Sequence, residues 1–176
     1  MVQKQDLVLV DTNIFVIDLR YKRDINYETN REFLDCISER GNGFTTIVNL
    51  LELCGILSFN LNEKQLTDLW FYFQDRYGTV VLPVASFETS FPVIKIKEIF
   101  NLIKNRTSMG DALMISVAKR HLPFVSTMAT WDDRHFKDIF SGTVLTPKKF
   151  LKRMKSPGNL RLQKNSQKVL KSDCGQ

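Results

Sequence analysis

The chain has 176 residues, of which 43% are hydrophobic and 11% aromatic, so it can bury one substantial core. No run approaches the ~20 apolar residues of a membrane span, the first apolar run (residues 7–10) is too short for a signal peptide, and the three cysteines form no close pair. These features argue against a membrane-spanning protein or a disulfide-stabilised secreted domain, and with a net charge of +6 they predict a soluble, cytoplasmic, single-domain protein.

The predicted elements alternate between strand and helix along the chain. Residues 6–11 form a short, continuously apolar strand, which is typical of a parallel strand buried on both faces. We then predict, in chain order, a helix over 29–40, a strand over 44–48, helices over 49–59 and 62–77, a strand over 79–83, helices over 91–105 and 111–121, strands over 123–127 and 143–145, and a closing helix over 147–154. This alternation predicts an α/β fold with a central parallel sheet covered by helices.

The positive charge is concentrated at the end of the chain. Residues 148–176 contain nine of the 25 Lys and Arg residues and one of the 19 acids, which leaves 16 basic and 18 acidic residues before them. A basic segment on a slightly acidic body is typical of proteins that bind a polyanion, although a solvated segment that only aids solubility has the same composition. We expect residues 1–155 to form the folded domain and residues 156–176 to be a basic, disordered tail.

Four acids are expected at the carboxyl ends of the strands, where open parallel sheets form their sites. Asp11 follows the first strand, Glu52 lies in the apolar helix after the second, Asp111 opens a buried helix, and Asp132 follows a turn that ends at Thr130. Each alone has an ordinary explanation as a cap or loop residue. The exception is Glu52, which we expect to be buried among leucines, where a carboxylate needs a cation or a donor.

Carboxylates that lie close together repel one another, and a hard divalent cation such as Mg²⁺ or Mn²⁺ removes that repulsion. Such a cation can lower the pKa of a bound water and stabilise charge on a phosphoryl oxygen. Neither of the glycine-rich motifs G-x-x-x-x-G-K-[ST] and G-x-G-x-x-G occurs. The acids therefore predict metal-assisted hydrolysis of a phosphodiester.

Four segments follow one another along the chain, namely the first strand with Asp11-Thr12-Asn13, Thr45–Glu52, Gly110–Ala118 and Thr130–Phe136. In this order they resemble the PIN domain, a metal-dependent ribonuclease fold found in many bacterial and archaeal toxins. The resemblance covers roughly residues 6–150 and implies a three-layer α/β/α sandwich, Mg²⁺ or Mn²⁺, and endonucleolytic cleavage of single-stranded RNA that leaves a 5′-phosphate. It also implies a homodimer and, for a toxin, a cognate antitoxin protein.

The resemblance assigns roles to individual residues. It implies that the metal ligands are Asp11, Glu52, Asp111 and Asp132. Thr130 would orient the site or a water, and Thr12 and Asn13 resemble the polar pair that fixes Asp11. Since successive side chains of an extended chain point apart, we expect Asp132 to face the metal, with Asp133 outward or behind the ligands. Weaker candidates for RNA contact are Lys148, Lys149, Lys152 and Arg153.

Two features depart from the compact toxin pattern, namely the basic extension after Lys148 and the long segment from Leu61 to Pro92. We interpret Trp131, His135 and Phe136 as packing residues. Two other functions stay open: a non-catalytic RNA-binding or regulatory module that uses the basic tail, and a phosphate-accepting receiver-like domain. The position of Glu52 on a helix argues against the latter. The sequence does not indicate the RNA, its cleavage sequence or the number of metals.

Overall fold

The computed structural model describes residues 6–155, in which five strands and eight helices alternate. The elements in chain order are β1 (Val8–Val10), α1 (Thr12–Arg20), α2 (Tyr27–Arg40), β2 (Gly43–Thr46), α3 (Ile47–Leu57), α4 (Glu63–Tyr77), β3 (Thr79–Leu82), α5 (Ile96–Lys104), α6 (Met109–His121), β4 (Thr127–Ala129), α7 (Asp133–Phe136), β5 (Thr143–Leu145) and α8 (Pro147–Met154). No helix in this part of the chain is both long and apolar enough to cross a membrane. The predicted tail, residues 156–176, lies outside it.

All five strands pair in parallel, in the order β3-β2-β1-β4-β5. The central strand β1 is fully buried because β2 and β4 pair with its two edges and helices flank the sheet. The predicted α/β fold, a three-layer α/β/α sandwich with a central parallel sheet, is confirmed. The order also places the chain segments that follow β2, β1 and β4 next to one another.

Helix α1 differs from the prediction, which left residues 12–20 without an element. Ile14, Phe15, Val16 and Ile17 are all buried, so this segment lacks the polar face that marks a surface helix in sequence. The Phe15 ring packs against Phe73 at 4.9 Å. This packing holds α1 in the core and thereby fixes its N-terminus at the end of β1.

The buried end of α1 also carries a charged residue, Asp18, whose side chain is 2% exposed. Its carboxylate accepts hydrogen bonds from the Tyr77 hydroxyl at 2.8 Å and from Arg31 at 3.1 Å, and Arg76 lies 3.6 Å away. These partners supply the donors and positive charge that a buried carboxylate needs. Through Asp18, α1 is tied to α2 and α4.

Two further boundaries were predicted wrongly. Strand β4 covers residues 127–129, after the predicted 123–127, and α5 begins at Ile96 rather than at residue 91. In the first case Val125 is buried without being in a strand. In the second case the helix was predicted to start beside Pro92, because proline is common at the first position of a helix. In the structure, residues 83–95 contain no helix or strand.

Candidate metal centre

A cavity of about 410 Å³ opens at the carboxyl edge of the sheet, between the segments that follow β1, β2 and β4. Open parallel sheets form their sites at this edge because loops and helix N-termini converge there. The four acids predicted from sequence all line the cavity, namely Asp11, Glu52, Asp111 and Asp132. They come from four separate segments of the chain, so the fold alone brings them together.

Asp11 caps the N-terminus of α1 and is 7% exposed. Its Oδ1 accepts a hydrogen bond from the Thr12 amide at 2.8 Å, and its Oδ2 accepts one from the Thr130 hydroxyl at 2.7 Å. Burial raises the pKa of Asp11 to about 7, and the charges of Glu52 and Asp111 add to this while the two hydrogen bonds oppose it. The buried position of Asp11, more than the neighbouring charges, therefore makes its charged form unfavourable in the absence of a cation.

Glu52 is linked to Asp11 through Thr12. The Thr12 hydroxyl donates to Glu52 Oε2 at 2.6 Å and accepts a hydrogen bond from Asn49 Nδ2 at 2.9 Å. Asn49 is itself fixed by the capping box of α3, so the first turn of that helix holds the arrangement. The role of Asn49 was only suggested in the sequence by its place one turn before Glu52.

The expectation that Glu52 is buried was wrong. Leu50 and Leu53 take the core positions of α3, and Glu52 is exposed, because it faces the open cavity. The carboxylate therefore does not need a partner in order to be tolerated there. Glu52 is grouped with the other acids because it lines the same cavity, and not because a buried carboxylate would need a partner.

Asp111 lies in the first turn of α6, which Ser108 caps. Its Oδ2 accepts a hydrogen bond from Ser108 Oγ at 2.6 Å and lies 3.1 Å from His135 Nε2, while Oδ1 accepts no hydrogen bond from residues 6–155. A Cβ added at Gly110 would lie 3.8 Å from Glu52 Oε1, so α3 and α6 approach closely here. One oxygen of Asp111 is thus free to bind a ligand.

From the sequence, His135 was interpreted as a packing residue, and the structure shows that it also takes part in the acidic cavity. Its ring does pack edge-on against Phe136, with centroids 5.2 Å apart, but it also lines the cavity and contacts Asp111. This contact joins residues 24 positions apart. In the sequence, the only indication that His135 belongs to the site is that it lies three residues after Asp132.

Thr130 is fully buried and orients Asp11 from behind the cavity wall. Its hydroxyl accepts hydrogen bonds from Asn13 Nδ2 at 2.9 Å and from the Asp132 amide at 3.1 Å. Asn13 Oδ1 in turn accepts from the Trp131 amide at 3.3 Å. Thr130 and Asn13 therefore hold the start of α1 and the chain before Asp132 in one fixed arrangement.

Asp132 and Asp133 lie on different sides of the chain. Asp132 is exposed and lines the cavity, whereas Asp133 is buried and bonds to Lys149 of α8. The hydrogen bond from Lys149 lowers the pKa of Asp133. Asp133 does not line the cavity, so its contact is with the neighbouring helix.

The basic residues of α8 differ in their partners. Lys149 bonds to Asp133, and Arg153 forms a 2.9 Å ion pair with Asp6. Lys148 and Lys152 are exposed. None of the four lines the acidic cavity.

Within residues 6–155, no group of three His, Cys, Asp or Glu side chains is arranged to hold a metal ion as it stands. The donor chemistry of the cavity nevertheless fits a hard divalent cation, because carboxylate oxygens predominate and the opening admits water. The pKa of Asp11 is raised first by burial and then by the charges of Glu52 and Asp111, and a cation bound beside it would offset both effects. Asp11, Glu52, Asp111 and Asp132 are the residues that could hold the cation.

Comparison with known proteins places the chain in a family. The PIN domain family model matches residues 8–138. A solved structure of FitAB bound to an IR36 DNA fragment is 18% identical, covers 80% of this chain and 95% of its own, and has a TM-score of 0.51. FitAcB from Neisseria gonorrhoeae is 18% identical, with 81% and 99% covered and a TM-score of 0.54. No curated protein sequence matches the chain.

A third structure, VapBC2 from Rickettsia felis bound to a DNA fragment from their promoter, is also 18% identical, with 80% and 98% covered and a TM-score of 0.52. At this identity the three structures support the fold alone. The family model covers most of the chain, including Asp11, Glu52, Asp111 and Asp132. The chain belongs to the PIN domain family, whose members are generally nucleases.

Proposed function

We propose that this PIN domain is a metal-dependent endoribonuclease that hydrolyses phosphodiester bonds of single-stranded RNA. One observation carries the proposal: acids from four separate segments line a single cavity at the carboxyl edge of the sheet. In this proposal Asp11, Glu52, Asp111 and Asp132 hold Mg²⁺ or Mn²⁺. A bound cation would supply a water of lowered pKa and would neutralise negative charge on the phosphoryl oxygens.

The task of the protein is to hold these carboxylates in position before the RNA arrives. Thr130 fixes one oxygen of Asp11, and the Thr12 hydroxyl fixes one oxygen of Glu52. Ser108 and His135 both contact Oδ2 of Asp111, which leaves its Oδ1 for the cation. Asp11 is thus held through both oxygens, by the Thr12 amide and the Thr130 hydroxyl, whereas Glu52 and Asp111 are each restrained through one oxygen.

We further propose that the protein acts in the cytoplasm as the toxin of a toxin–antitoxin pair. The similar solved structures, FitAB and VapBC, are toxin–antitoxin complexes, which supports a cognate antitoxin protein as a partner. The exposed apolar side chains around α5, among them Ile96 (82% exposed) and Phe100 (58%), support a homodimer. In this proposal residues 1–155 are the nuclease domain and residues 156–176 a basic tail.

A second candidate is a non-catalytic RNA-binding or regulatory module on the same fold. It is favoured by the lack, among the described residues, of three acids already arranged around a metal position. It predicts RNA binding that EDTA does not alter and RNA that stays intact in Mn²⁺.

The deciding experiment incubates the full chain with single-stranded RNA and Mn²⁺ and maps the ends that form. We expect internal cleavage that leaves 5′-phosphates, stops with EDTA and returns with Mg²⁺ or Mn²⁺. Asp11→Asn and Asp111→Asn should each lower the rate at least about 100-fold, the order of loss on removing one stabilising group. Asp75→Asn, an exposed acid on α4 away from the cavity, is the matched control.

Circular dichroism melts would confirm that each variant is folded. Persistent cleavage in both Asp11→Asn and Asp111→Asn would overturn the assignment of the site. RNA that stays intact with the unmodified chain in Mn²⁺ and Mg²⁺, but is bound, would favour the second candidate.

A further inference from the structure

The acidic cavity extends along one face of α1 as an apolar trough. Asn13, Ile17 and Tyr21 follow one another at four-residue spacing and all line it, as does Ile56 from α3. From Asp11 to Tyr21 the chain advances about 15 Å at the helical rise per residue. The cavity is therefore longer than one phosphate requires and has an apolar wall beside its acidic end.

Tyr21 stands where this trough meets a second cavity. The second cavity has a volume of about 560 Å³ and is lined by residues 19–24, so Tyr21 and Asp24 border both. The residue Tyr21 is 47% exposed, and the Arg20 guanidinium lies over its ring, 5.5 Å from the centroid. An exposed aromatic ring in such a place offers a surface on which an unpaired base can stack.

The second cavity is basic. Arg20, Lys22 and Arg23 are exposed and form no salt bridge within residues 6–155, and Asp24 is the single acid among them. This contrasts with α8, where Lys149 and Arg153 are paired with acids. Positive charge that no acid of residues 6–155 neutralises in a salt bridge thus lies directly beside a cavity lined by carboxylates.

Hydrogen bonds define the shape of this loop. The Tyr21 amide donates to the Ile17 carbonyl at 3.0 Å, and the Asp24 amide donates to the Tyr21 carbonyl at 2.9 Å, which closes a turn over residues 21–24. The Asp24 carboxylate accepts from the Asn26 amide at 2.7 Å at the start of α2. The loop is thus fixed between two helices.

We infer that the Arg20–Asp24 loop is the subsite that binds the single-stranded RNA next to the cleaved phosphate, with a base stacked on Tyr21 and phosphates on Lys22 and Arg23. The inference rests on the proposed function and names how its substrate is held. The acidic end of the cavity repels an RNA backbone, so attraction must come from its rim. Stacking on Tyr21 selects an unpaired base, because a base in a duplex has no free face.

The test measures binding of a fluorescent single-stranded RNA to the full chain in EDTA, by anisotropy over a range of salt concentrations. We compare the unmodified chain with Lys22→Gln/Arg23→Gln and with Lys64→Gln/Lys97→Gln, an equal loss of charge on α4 and α5. Each phosphate contact to a single strand contributes about 0.7 to the salt slope. The loop variant should therefore lose about 1.4 from the slope, and the control should keep it.

Tyr21→Leu tests the stack and Tyr21→Phe is its matched control. We expect Tyr21→Leu to weaken binding about five- to 150-fold, the range for one lost base–aromatic stack, and Tyr21→Phe to bind as before. In cleavage assays with Mn²⁺, loop variants should raise KM and leave kcat within about twofold, because they remove uniform binding.

Three outcomes separate this inference from the proposed function. RNA that is bound through the loop but never cleaved would support the subsite and contradict the nuclease. Normal cleavage with affinity, salt slope and KM unchanged in the loop variants would overturn the subsite alone. Loop variants that bind RNA normally but no longer bind an acidic peptide would overturn it as well, since the loop would then recognise protein.

Discussion

Asp11 caps the N-terminus of α1 through hydrogen bonds that favour its charged form. It also lies buried in the acidic cavity, which disfavours that form. Its pKa of about 7 means that, without a cation, this carboxyl still carries a proton at pH values where the unfolded chain has lost it. The ordinary value is 3.8. The folded state therefore binds more protons between these two pH values, and folding becomes less favourable as the pH rises through that interval.

In EDTA, the free energy of unfolding should fall as the pH is raised from 4 to 8, by at most about 4 kcal/mol from this one group. Asp11→Asn should show a flatter profile, because an amide does not titrate in this range. Urea unfolding at several pH values measures the difference between the two slopes. Parallel profiles for the two proteins would contradict the role of Asp11.

The absolute stability of Asp11→Asn is not the quantity to compare. The Thr130 hydroxyl already accepts two hydrogen bonds, from Asn13 and from the Asp132 amide, and gives its own proton to Asp11. An amide nitrogen placed opposite it would find no acceptor, so the substitution carries a constant cost as well. Only the change of stability with pH isolates the charge.

At the scale of single residues, the sequence indicated the acids better than their surroundings. Asp11 and Asp111 could be predicted because a strand end or a helix start marks each position. The contact between His135 and Asp111 could not, since it depends on how α6 and α7 meet. The exposure of Glu52 was also hidden, because a run of leucines does not reveal which side of the helix faces a cavity.

Among the helices, the pair of Asp133 and Lys149 joins α7 to α8, which is why two adjacent aspartates behave differently. The side chain of Asp133 is 10% exposed, and Lys149 lowers its pKa. Lys149→Met should therefore leave a buried carboxylate without its donor and destabilise the fold by about 1–3 kcal/mol. Thermal and urea unfolding at pH 7 measure this loss.

The pH dependence of the same variant gives a second check. Because the folded pKa of Asp133 is lowered, the pair stabilises the fold above the ordinary pKa of 3.8, and this is lost as the pH falls through the folded value. The cost of Lys149→Met should accordingly shrink toward pH 3. Asp132→Asn, an exposed neighbour whose replacement still caps α7, is the control and should change stability little. A constant cost at all pH values would contradict the ion pair.

Helices with one buried face and recognisable ends could be predicted closely, whereas the buried helix α1 and the short strand β4 could not. Helices α2, α4 and α8 have polar faces and begin or end at recognisable caps, so their limits fall within two residues of the prediction. Helix α1 is buried on nearly all sides and resembles no periodic pattern. Strand β4 is three residues long, and the register with β1 rather than local sequence decides where it lies.

At the scale of the whole molecule, two basic stretches of the chain are candidates for RNA contact in the proposed function, the Arg20–Asp24 loop and the segment 156–176. The latter contains four Lys or Arg residues and one Asp, which is half of the net charge of +6. Tyr21 and Asp24 of the loop line the acidic cavity, so in the proposed function the loop would act on the nucleotides next to the cleaved bond. For the segment 156–176 we expect a contribution to RNA affinity and none to the choice of bond.

Replacing Arg161, Lys164, Lys168 and Lys171 with Gln in the full chain tests this division. If all four contact RNA, the salt slope of binding should fall by up to about 2.8, while kcat and the mapped cleavage positions stay the same. Combining these changes with Lys22→Gln/Arg23→Gln should lower the slope by the sum of the two effects, because the contacts are independent. A slope unchanged by the four substitutions would mean that the segment only aids solubility. A shift in the cleavage positions would mean that it helps to place the RNA, and the loop would then not be the sole determinant of which bond is cut.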